Sequence, residues 1–83
     1  MVDTANKFSL WAIEIFVASV EEGSISAAAK RLNSSNSTIS QQLTNLEAAL
    51  GSELLDRSTR PMKLKPTGQL FLHRARAILS EVM

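Results

Sequence analysis

Hydrophobic residues recur every three or four positions along most of the chain, which is the period of a helix with one buried face. Three such segments follow one another, at residues 8–22, about 25–32 and about 36–50. A fourth begins near residue 67 and continues to the end of the chain. The pattern therefore predicts a mainly α-helical fold, with three helices, an interruption, and one further helix.

Serines and glycines stand at the predicted ends of these helices. Ser9, Ser24 and Ser35 each precede a helix, where a serine hydroxyl accepts a hydrogen bond from a free backbone N–H of the first turn. Gly23 and Gly51 follow the first and third helices, where glycine readily takes the left-handed conformation that ends a helix. These residues predict the helix boundaries to within a residue or two.

The second and third helices have the spacing of a helix-turn-helix. Asn33 falls at the corner, which needs a residue that tolerates positive φ. Ala29 is small where the two helices touch, and Ile39 and Leu43 are apolar where the third helix packs back. In a motif of this kind the second of the two helices lies in the major groove of DNA. We therefore expect residues 36–50 to form a recognition helix.

The polar face of that helix carries only hydroxyl and amide side chains. They are Asn36, Ser37, Thr38, Ser40, Gln41 and Gln42. Short hydrogen-bonding groups without acids suit the edges of base pairs. The alternative is a helical module that binds only protein, but such a surface should present an aromatic or leucine anchor, and this face has none.

Residues 54–55 and 62–64 are short apolar patches around a turn at residues 58–61, which predicts a two-stranded hairpin. A basic hairpin directly after a recognition helix is typical of a wing that reaches the DNA backbone or minor groove. Its cations would be Arg57, Arg60 and Lys63. A connecting loop with solvated basic residues is the alternative.

Pro66 suits the first turn of the fourth helix, since its missing N–H costs nothing there. The helix carries a broad apolar band: Leu70, Phe71, Leu72, Ala75, Ile78, Leu79, Val82 and Met83. This band is wider than one contact would bury, so it is either prone to aggregation or paired with a second copy. In the first helix, the same spacing predicts a buried stripe of Leu10, Ile13, Phe16, Val17 and Val20. Trp11 and Ile15 widen this apolar surface, either as the rim of the core or at a subunit interface. No glycine or proline stops the fourth helix, so we expect a fragment of a longer protein.

Composition narrows the function further. The chain of 83 residues has room for one domain, and without cysteine it can form no disulfide, thiolate nucleophile or cysteine zinc site. His73 is the single histidine and has no spaced partner for catalysis or metal binding, so we expect no enzyme. No membrane span or secretory signal is evident, which predicts a cytoplasmic protein.

The formal net charge is only +1, but it is unevenly distributed. Residues 23–46 and 57–80 carry cations and no acid. If these stretches fold side by side, they form a positive face for phosphate. A solvated surface with random clustering is the alternative.

The motifs together strongly resemble the N-terminal winged helix-turn-helix domain of LysR-type bacterial transcriptional regulators. The resemblance covers the chain from about Leu10 to its end. It rests on Gly23-Ser24, Ala28-Ala29-Lys30-Arg31-Leu32, Ser35 to Ser40, Leu46-Glu47-Ala48-Ala49-Leu50-Gly51 and Arg57. The resemblance implies a DNA-binding domain at residues 8–65 and a linker helix at residues 66–83 that pairs antiparallel in a homodimer.

The resemblance also implies partners and site residues. Operator DNA would meet Ser35, Asn36, Ser37, Thr38, Ser40, Gln41, Lys30, Arg31, Arg57, Arg60, Lys63 and Lys65. A second copy would meet Trp11, Ile15, Phe71, Ala75, Ile78, Leu79 and Val82. Full-length regulators are often dimers of dimers, and their small-molecule effector binds a C-terminal domain, so we expect no cofactor in this chain.

Four positions depart from the family pattern. Asn36-Ser37 stands where the family commonly has Gln-Pro, and Gln41 where arginine is frequent. Lys65 replaces the usual threonine before Pro66, where it would hold a phosphate. The recognition helix thus has no positive charge of its own, and we expect affinity to come from flanking cations.

Overall fold

The computed structural model describes residues 9–82, in which four helices and one hairpin follow one another. The elements are α1 (Leu10–Glu22), α2 (Ile25–Arg31), α3 (Asn36–Leu50), β1 (Leu55–Asp56), β2 (Lys63–Leu64) and α4 (Pro66–Val82). The predicted winged helix-turn-helix with a further helix is confirmed, and α3 has the predicted bounds. The predicted helix start at Phe8 and the apolar Met83 lie outside the described residues.

The three predicted serine caps are confirmed. Ser9 Oγ accepts from the backbone N–H of Ala12 at 3.2 Å, and Ser24 Oγ accepts from that of Ala27 at 3.0 Å. Ser35 Oγ does the same for Thr38 at 3.1 Å. Each bond satisfies one N–H that the helix itself leaves without an acceptor. The starts of α1, α2 and α3 are therefore encoded locally.

Left-handed residues end α1 and α3 and turn the corner between α2 and α3. Gly23 has φ 80° and Gly51 has φ 71°, as predicted. Asn33 has φ 55° and is the one non-glycine residue with positive φ in the described chain. Directly after it, the backbone N–H of Ser34 donates to the Ala29 carbonyl at 2.8 Å. The corner is thus closed by main-chain bonding around a single left-handed asparagine.

Helix α1 lies at the centre of the core and packs on α2, α3 and α4. Its buried stripe differs from the prediction: Leu10 is 50% exposed, whereas Ile15 and Ala18 are fully buried. Helices on several sides of α1 bury a wider arc than one amphipathic stripe provides. The other core side chains are Ile13, Phe16, Val17, Ala28, Ala29, Ile39, Leu43, Leu46, Leu54, Leu55, Leu72 and Ala75.

The hairpin is confirmed, with antiparallel strands that pair Leu55 with Leu64 and Asp56 with Lys63. Asp56 Oδ1 accepts from the backbone N–H of Ser58 at 3.0 Å and from its hydroxyl, which holds the start of the turn. These bonds lower the pKa of Asp56 below its ordinary value. On the other side of the turn, the backbone N–H of Met62 donates to the Gly23 carbonyl at 3.0 Å. The hairpin is therefore fixed to the α1–α2 corner.

Helix α4 begins directly against the chain that enters β1. The backbone N–H of Lys65 donates to the Leu54 carbonyl at 2.9 Å, and Thr67 Oγ1 donates to the Glu53 carbonyl at 2.7 Å. Gly68 is buried here, and a Cβ on it would overlap the Leu54 carbonyl oxygen. The absence of a side chain at this position is thus what permits the contact.

Further along, Phe71 of α4 meets Phe16 of α1 edge to face, with ring centroids 5.2 Å apart. Leu72 and Ala75 continue the core, so the first half of α4 packs as part of the same body as α1–α3. In the described part of the chain, no helix combines the length and apolar character needed to cross a membrane.

Candidate nucleic-acid interface

One face of α3 anchors the helix and the opposite face is open to solvent. Ile39, Leu43 and Leu46 are buried and hold α3 against the core. The opposite face is an exposed stripe of small and polar side chains without a charge: Ser37, Gln41, Thr44, Asn45 and Ala48. We call these five residues the α3 stripe. A surface of this kind can approach base edges without charge repulsion from phosphates.

At the start of α3, the predicted DNA-binding residues have different surroundings. Asn36 and Ser37 are exposed, whereas Thr38 and Ser40 are partly buried. Ser35 caps the helix and also donates from its hydroxyl to Thr38 Oγ1 at 2.8 Å. Ser35 and Thr38 therefore bond each other, and the Ser37 hydroxyl is hydrogen-bonded to that of Ser35 at 3.3 Å. The side chain of Asn36 is exposed to solvent.

Gln41 is bonded along the α3 stripe. Its Nε2 donates to Asn45 Oδ1 at 2.9 Å, one helical turn further on. Asn45 was missing from the predicted site residues. The four-residue spacing of the two amides was the available signal, since side chains at that spacing are neighbours on a helix.

Arg31 lies in a cluster of ion pairs at the end of α1. Its Nη1 contacts Glu21 at 2.9 Å and Glu22 at 3.2 Å, and Arg76 of α4 contacts Glu21 at 3.1 Å. The hydrogen bond from Arg31 lowers the pKa of Glu21 and raises that of Arg31 itself. The charge of Arg31 is therefore compensated within the chain.

Arg57 lies in the angle between α3 and β1. Its Nη2 contacts Glu47 Oε1 at 3.2 Å, and its Nη1 donates to Ser40 Oγ at 3.4 Å. The second oxygen of Glu47 accepts from the backbone N–H groups of Leu54 at 2.7 Å and Leu55 at 3.3 Å. Glu47 thus joins the recognition helix to the hairpin, a role that the sequence reasoning did not assign.

Lys65 is paired with Glu53, and their hydrogen bond raises the pKa of Lys65 and lowers that of Glu53. The concave surface around Lys65 is also lined by Glu47, Asp56 and Arg57, so three carboxylates face two cations there. Three carboxylates at one place are an unfavourable environment for a phosphate. The predicted phosphate contact at Lys65 therefore receives no support from its surroundings.

The remaining predicted cations form no ion pair among residues 9–82, although Lys63 stands opposite Asp56 in the hairpin. Lys30, Arg60 and Lys63 are all exposed, and Arg60 donates only to the Arg57 carbonyl, at 3.3 Å. A groove of about 320 Å³ runs between α2, the start of α3 and the hairpin. Its polar lining consists of Ser24, Ser26, Asn36, Arg57 and Arg60. The fold therefore brings the wing cations beside the start of the recognition helix.

The predicted dimer residues fall into three groups by exposure. Ile15 and Ala75 are fully buried inside the chain, so they belong to the core and cannot meet a second copy. Phe71 and Leu79 are partly buried. Trp11, Ile78 and Val82 are exposed, and Leu70, which was left out of the predicted interface, is 60% exposed. The exposed apolar surface thus lies on α4 and at the start of α1.

The family model described as "Bacterial regulatory helix-turn-helix protein, lysR family" matches residues 10–69. Among curated proteins, the chain is 43% identical over 67 residues to the HTH-type transcriptional regulator TfdS of Cupriavidus pinatubonensis. That alignment covers 81% of this chain and 23% of TfdS. The HTH-type transcriptional regulator BenM of Acinetobacter baylyi is 43% identical over 70 residues, an alignment that covers 84% of this chain and 23% of BenM.

Solved structures agree with the fold. A crystal structure of BenM_DBD with catB site 1 DNA superimposes with a TM-score of 0.88 at 41% identity, and covers 90% of this chain and 84% of that one. The CbnR_DBD–DNA complex superimposes with a TM-score of 0.86 at 41% identity, and covers 90% of this chain and 86% of that one. The chain spans about a quarter of the length of the curated regulators it matches. These relatives are regulators and not enzymes, in agreement with the predicted lack of catalysis.

Proposed function

Because the chain belongs to the LysR family of bacterial regulatory helix-turn-helix proteins, we propose that it binds operator DNA as the DNA-binding domain of a transcriptional regulator. The observation that carries this proposal is the α3 stripe, which is uncharged, polar and exposed on the side opposite the core. BenM_DBD and CbnR_DBD, which share the fold, are both in complexes with DNA.

In this proposal α3 enters the major groove and reads the operator. The exposed Asn36 and Ser37 begin the helix, and Gln41 follows one turn later. Residues near the start of a recognition helix are the ones that contact base edges. An amide side chain pairs in two places with adenine, so Asn36 and Gln41 favour A·T pairs at their positions.

The hairpin lies on the backbone or the neighbouring minor groove. Lys30, Arg60 and Lys63 supply the phosphate contacts, because their charges are exposed and form no ion pair within residues 9–82. Arg31 and Arg57 act mainly as positioning residues, since their guanidinium groups already bind carboxylates. This assignment narrows the set of cations expected from the sequence.

Two copies pair through the exposed apolar side of α4, with Ile78 and Val82 at the contact. A two-fold dimer presents two recognition helices to two half-sites of the operator. The full-length regulator assembles further, as a pair of dimers, and binds its effector in a domain outside this chain. Such a protein acts in the cytoplasm, where bacterial DNA is located.

A salt titration of duplex binding tests this proposal. With three phosphate-binding cations in each of two chains, the logarithm of the binding constant should fall against the logarithm of salt concentration with a slope of about −5. Lys30→Ala and Lys63→Ala should each make the slope shallower by about 2 per dimer, because each removes two contacts. Lys65→Ala is the matched control, since its charge is already paired with Glu53.

Fluorescence anisotropy on a labelled duplex from a randomised-site selection measures these slopes. Absence of duplex binding at low salt would refute the proposed function. Equal slopes for Lys30→Ala, Lys63→Ala and Lys65→Ala would keep DNA binding but reject the division between free and compensated cations.

A further inference from the structure

We propose that Asn45 is a specificity-determining positioning residue, which holds the Gln41 amide ready to pair with one adenine of the operator. The inference rests on the proposed DNA binding and deepens it. Its basis is the hydrogen bond from Gln41 Nε2 to Asn45 Oδ1 at 2.9 Å on the exposed stripe of α3. The two side chains then act together in recognising the base, although only Gln41 contacts it.

The bond lies where a base reader is needed. Gln41 and Asn45 are four residues apart, which separates them by about 6 Å along the helix axis, well within the width of a major groove. Both are exposed, and they share a face with Ser37 and Ala48, opposite the buried Leu43. No charged side chain belongs to this stripe, so the amide pair is its strongest polar feature.

Helix stability alone does not account for asparagine at this position. Asparagine has a lower helix propensity than alanine by about 0.5 kcal/mol or more. Asn45 is exposed in the middle of a 15-residue helix, and it is neither a cap nor a core residue. A glutamine–asparagine pair at this spacing regains only about 0.2–0.5 kcal/mol. The residue therefore brings little net stability, which leaves its effect on Gln41 as its main contribution.

That effect is to select one orientation of the Gln41 amide. Adenine presents N7 as an acceptor and N6 as a donor in the major groove, and a glutamine amide matches both with one N–H and one oxygen. Because Asn45 engages only one N–H of Gln41 Nε2, the other N–H and Oε1 remain available for the base. Guanine presents two acceptors, N7 and O6, and so offers no donor to Gln41 Oε1.

Holding the amide also reduces the entropy lost when it binds the base. A free glutamine side chain samples many rotamers, and fixing such a side chain at an interface weakens binding. When the bond to Asn45 fixes the side chain beforehand, adenine gains more than the other bases, because only adenine uses both amide groups. Removal of Asn45 should therefore lower the preference for adenine more than the overall affinity.

The experiment compares base preferences of variants in a selection from randomised duplexes, followed by competition binding of single-base variants of the selected site. Gln41→Ala should lower the adenine preference at one position of each half-site by about 5- to 150-fold. Asn45→Ala should lower it at the same position by about two- to tenfold. The double variant should match Gln41→Ala, because Asn45 acts through Gln41.

Two further variants separate positioning from a general effect of the helix surface. Asn45→Asp keeps the acceptor oxygen, so it should retain the adenine preference while its negative charge lowers affinity for every site. Gln69→Ala, which removes an exposed amide side chain on α4 outside the α3 stripe, should leave the preference at that position unchanged.

An unchanged preference in Asn45→Ala would overturn the inference, and so would a loss that persists in the Gln41→Ala background. Loss of preference in Asn45→Asp equal to that in Asn45→Ala would also overturn it. Failure of the proposed function would look different, since wild type and all variants would then lack salt-dependent binding to any duplex.

Discussion

Replacing Glu47 by alanine removes the acceptor that joins the recognition helix to the hairpin. The carboxylate accepts from the backbone N–H groups of Leu54 and Leu55, both buried residues, and it also contacts Arg57. Its side chain is only 15% exposed, so solvent replaces these bonds incompletely. A buried N–H left without an acceptor costs about 1–3 kcal/mol. Two such groups cost about 2–6 kcal/mol together, and the better helix propensity of alanine offsets only about 0.5 kcal/mol of it, so we expect a loss of about 2–5 kcal/mol.

This loss is large for a domain of 83 residues, whose total free energy of unfolding is expected at about 4–12 kcal/mol. A loss of about 3 kcal/mol lowers the Tm of a domain this size by roughly 12–24 °C. Urea unfolding, monitored by circular dichroism, measures the free energy of unfolding directly. Glu47→Gln retains one oxygen as an acceptor for the backbone N–H groups. Its free energy of unfolding should therefore fall by about half as much as that of Glu47→Ala.

Glu81→Ala is the control, because Glu81 is an exposed glutamate on α4 and no ion pair involves it within residues 9–82. It should change stability by less than about 0.5 kcal/mol. If Glu47→Ala were as stable as Glu81→Ala, the reasoning from the buried N–H groups would be refuted. If Glu47→Gln lost as much as Glu47→Ala, the contribution would come from the charge and not from the acceptor.

Three further predictions concern other parts of the chain. Gly68→Ala should lower the free energy of unfolding in urea by at least about 2 kcal/mol, although alanine favours helix, because its Cβ overlaps a backbone carbonyl. In the control Gly51→Ala the new Cβ meets no atom within 4 Å, so the loss should be only about 1 kcal/mol, caused by the left-handed φ. Equal losses in the two variants would contradict the close approach at Gly68. Arg31 holds the pKa of Glu21 below the ordinary 4.5, so this carboxylate stabilises the fold above that pH and its contribution is lost as pH falls through the lowered pKa. Glu21→Gln should therefore have a shallower decline of Tm below pH 4.5, and an unchanged decline would count against the ion pair. Ile78→Glu should weaken self-association, measured by sedimentation, at least about tenfold, because it places an unpaired charge in the apolar contact. A variant that sediments like wild type at low concentration would reject that interface.

Features encoded by neighbouring residues could be predicted from the sequence. The caps at Ser24 and Ser35, the positive φ of Asn33 and the bounds of α3 depend on contacts within a few positions. The same holds for the exposed polar face of α3, because helical periodicity fixes which residues oppose the buried Leu43.

Features that join distant segments could not be predicted in this way. Glu47 lies ten residues from Arg57, and Glu21 lies 55 residues from Arg76, so nothing in the sequence pattern pairs them. The sequence therefore indicated a set of basic residues without separating compensated charges from free ones. The prediction placed Leu10 in the buried stripe, but Leu10 is exposed and Ile15 is buried. This difference has a similar cause, because it depends on which sides of α1 the other helices cover.

The anchorage at the start of α4 has a mechanical consequence. Lys65, Thr67 and Gly68 fix the base of this helix to the backbone at Glu53 and Leu54, directly after α3. The helix has 17 residues and is about 25 Å long, so a tilt of about 10° at its base moves its far end by about 4 Å. In an assembly held together by the far ends of two such helices, α4 acts as a lever. The distance between the two recognition helices is then set by a few atoms around the Leu54 carbonyl.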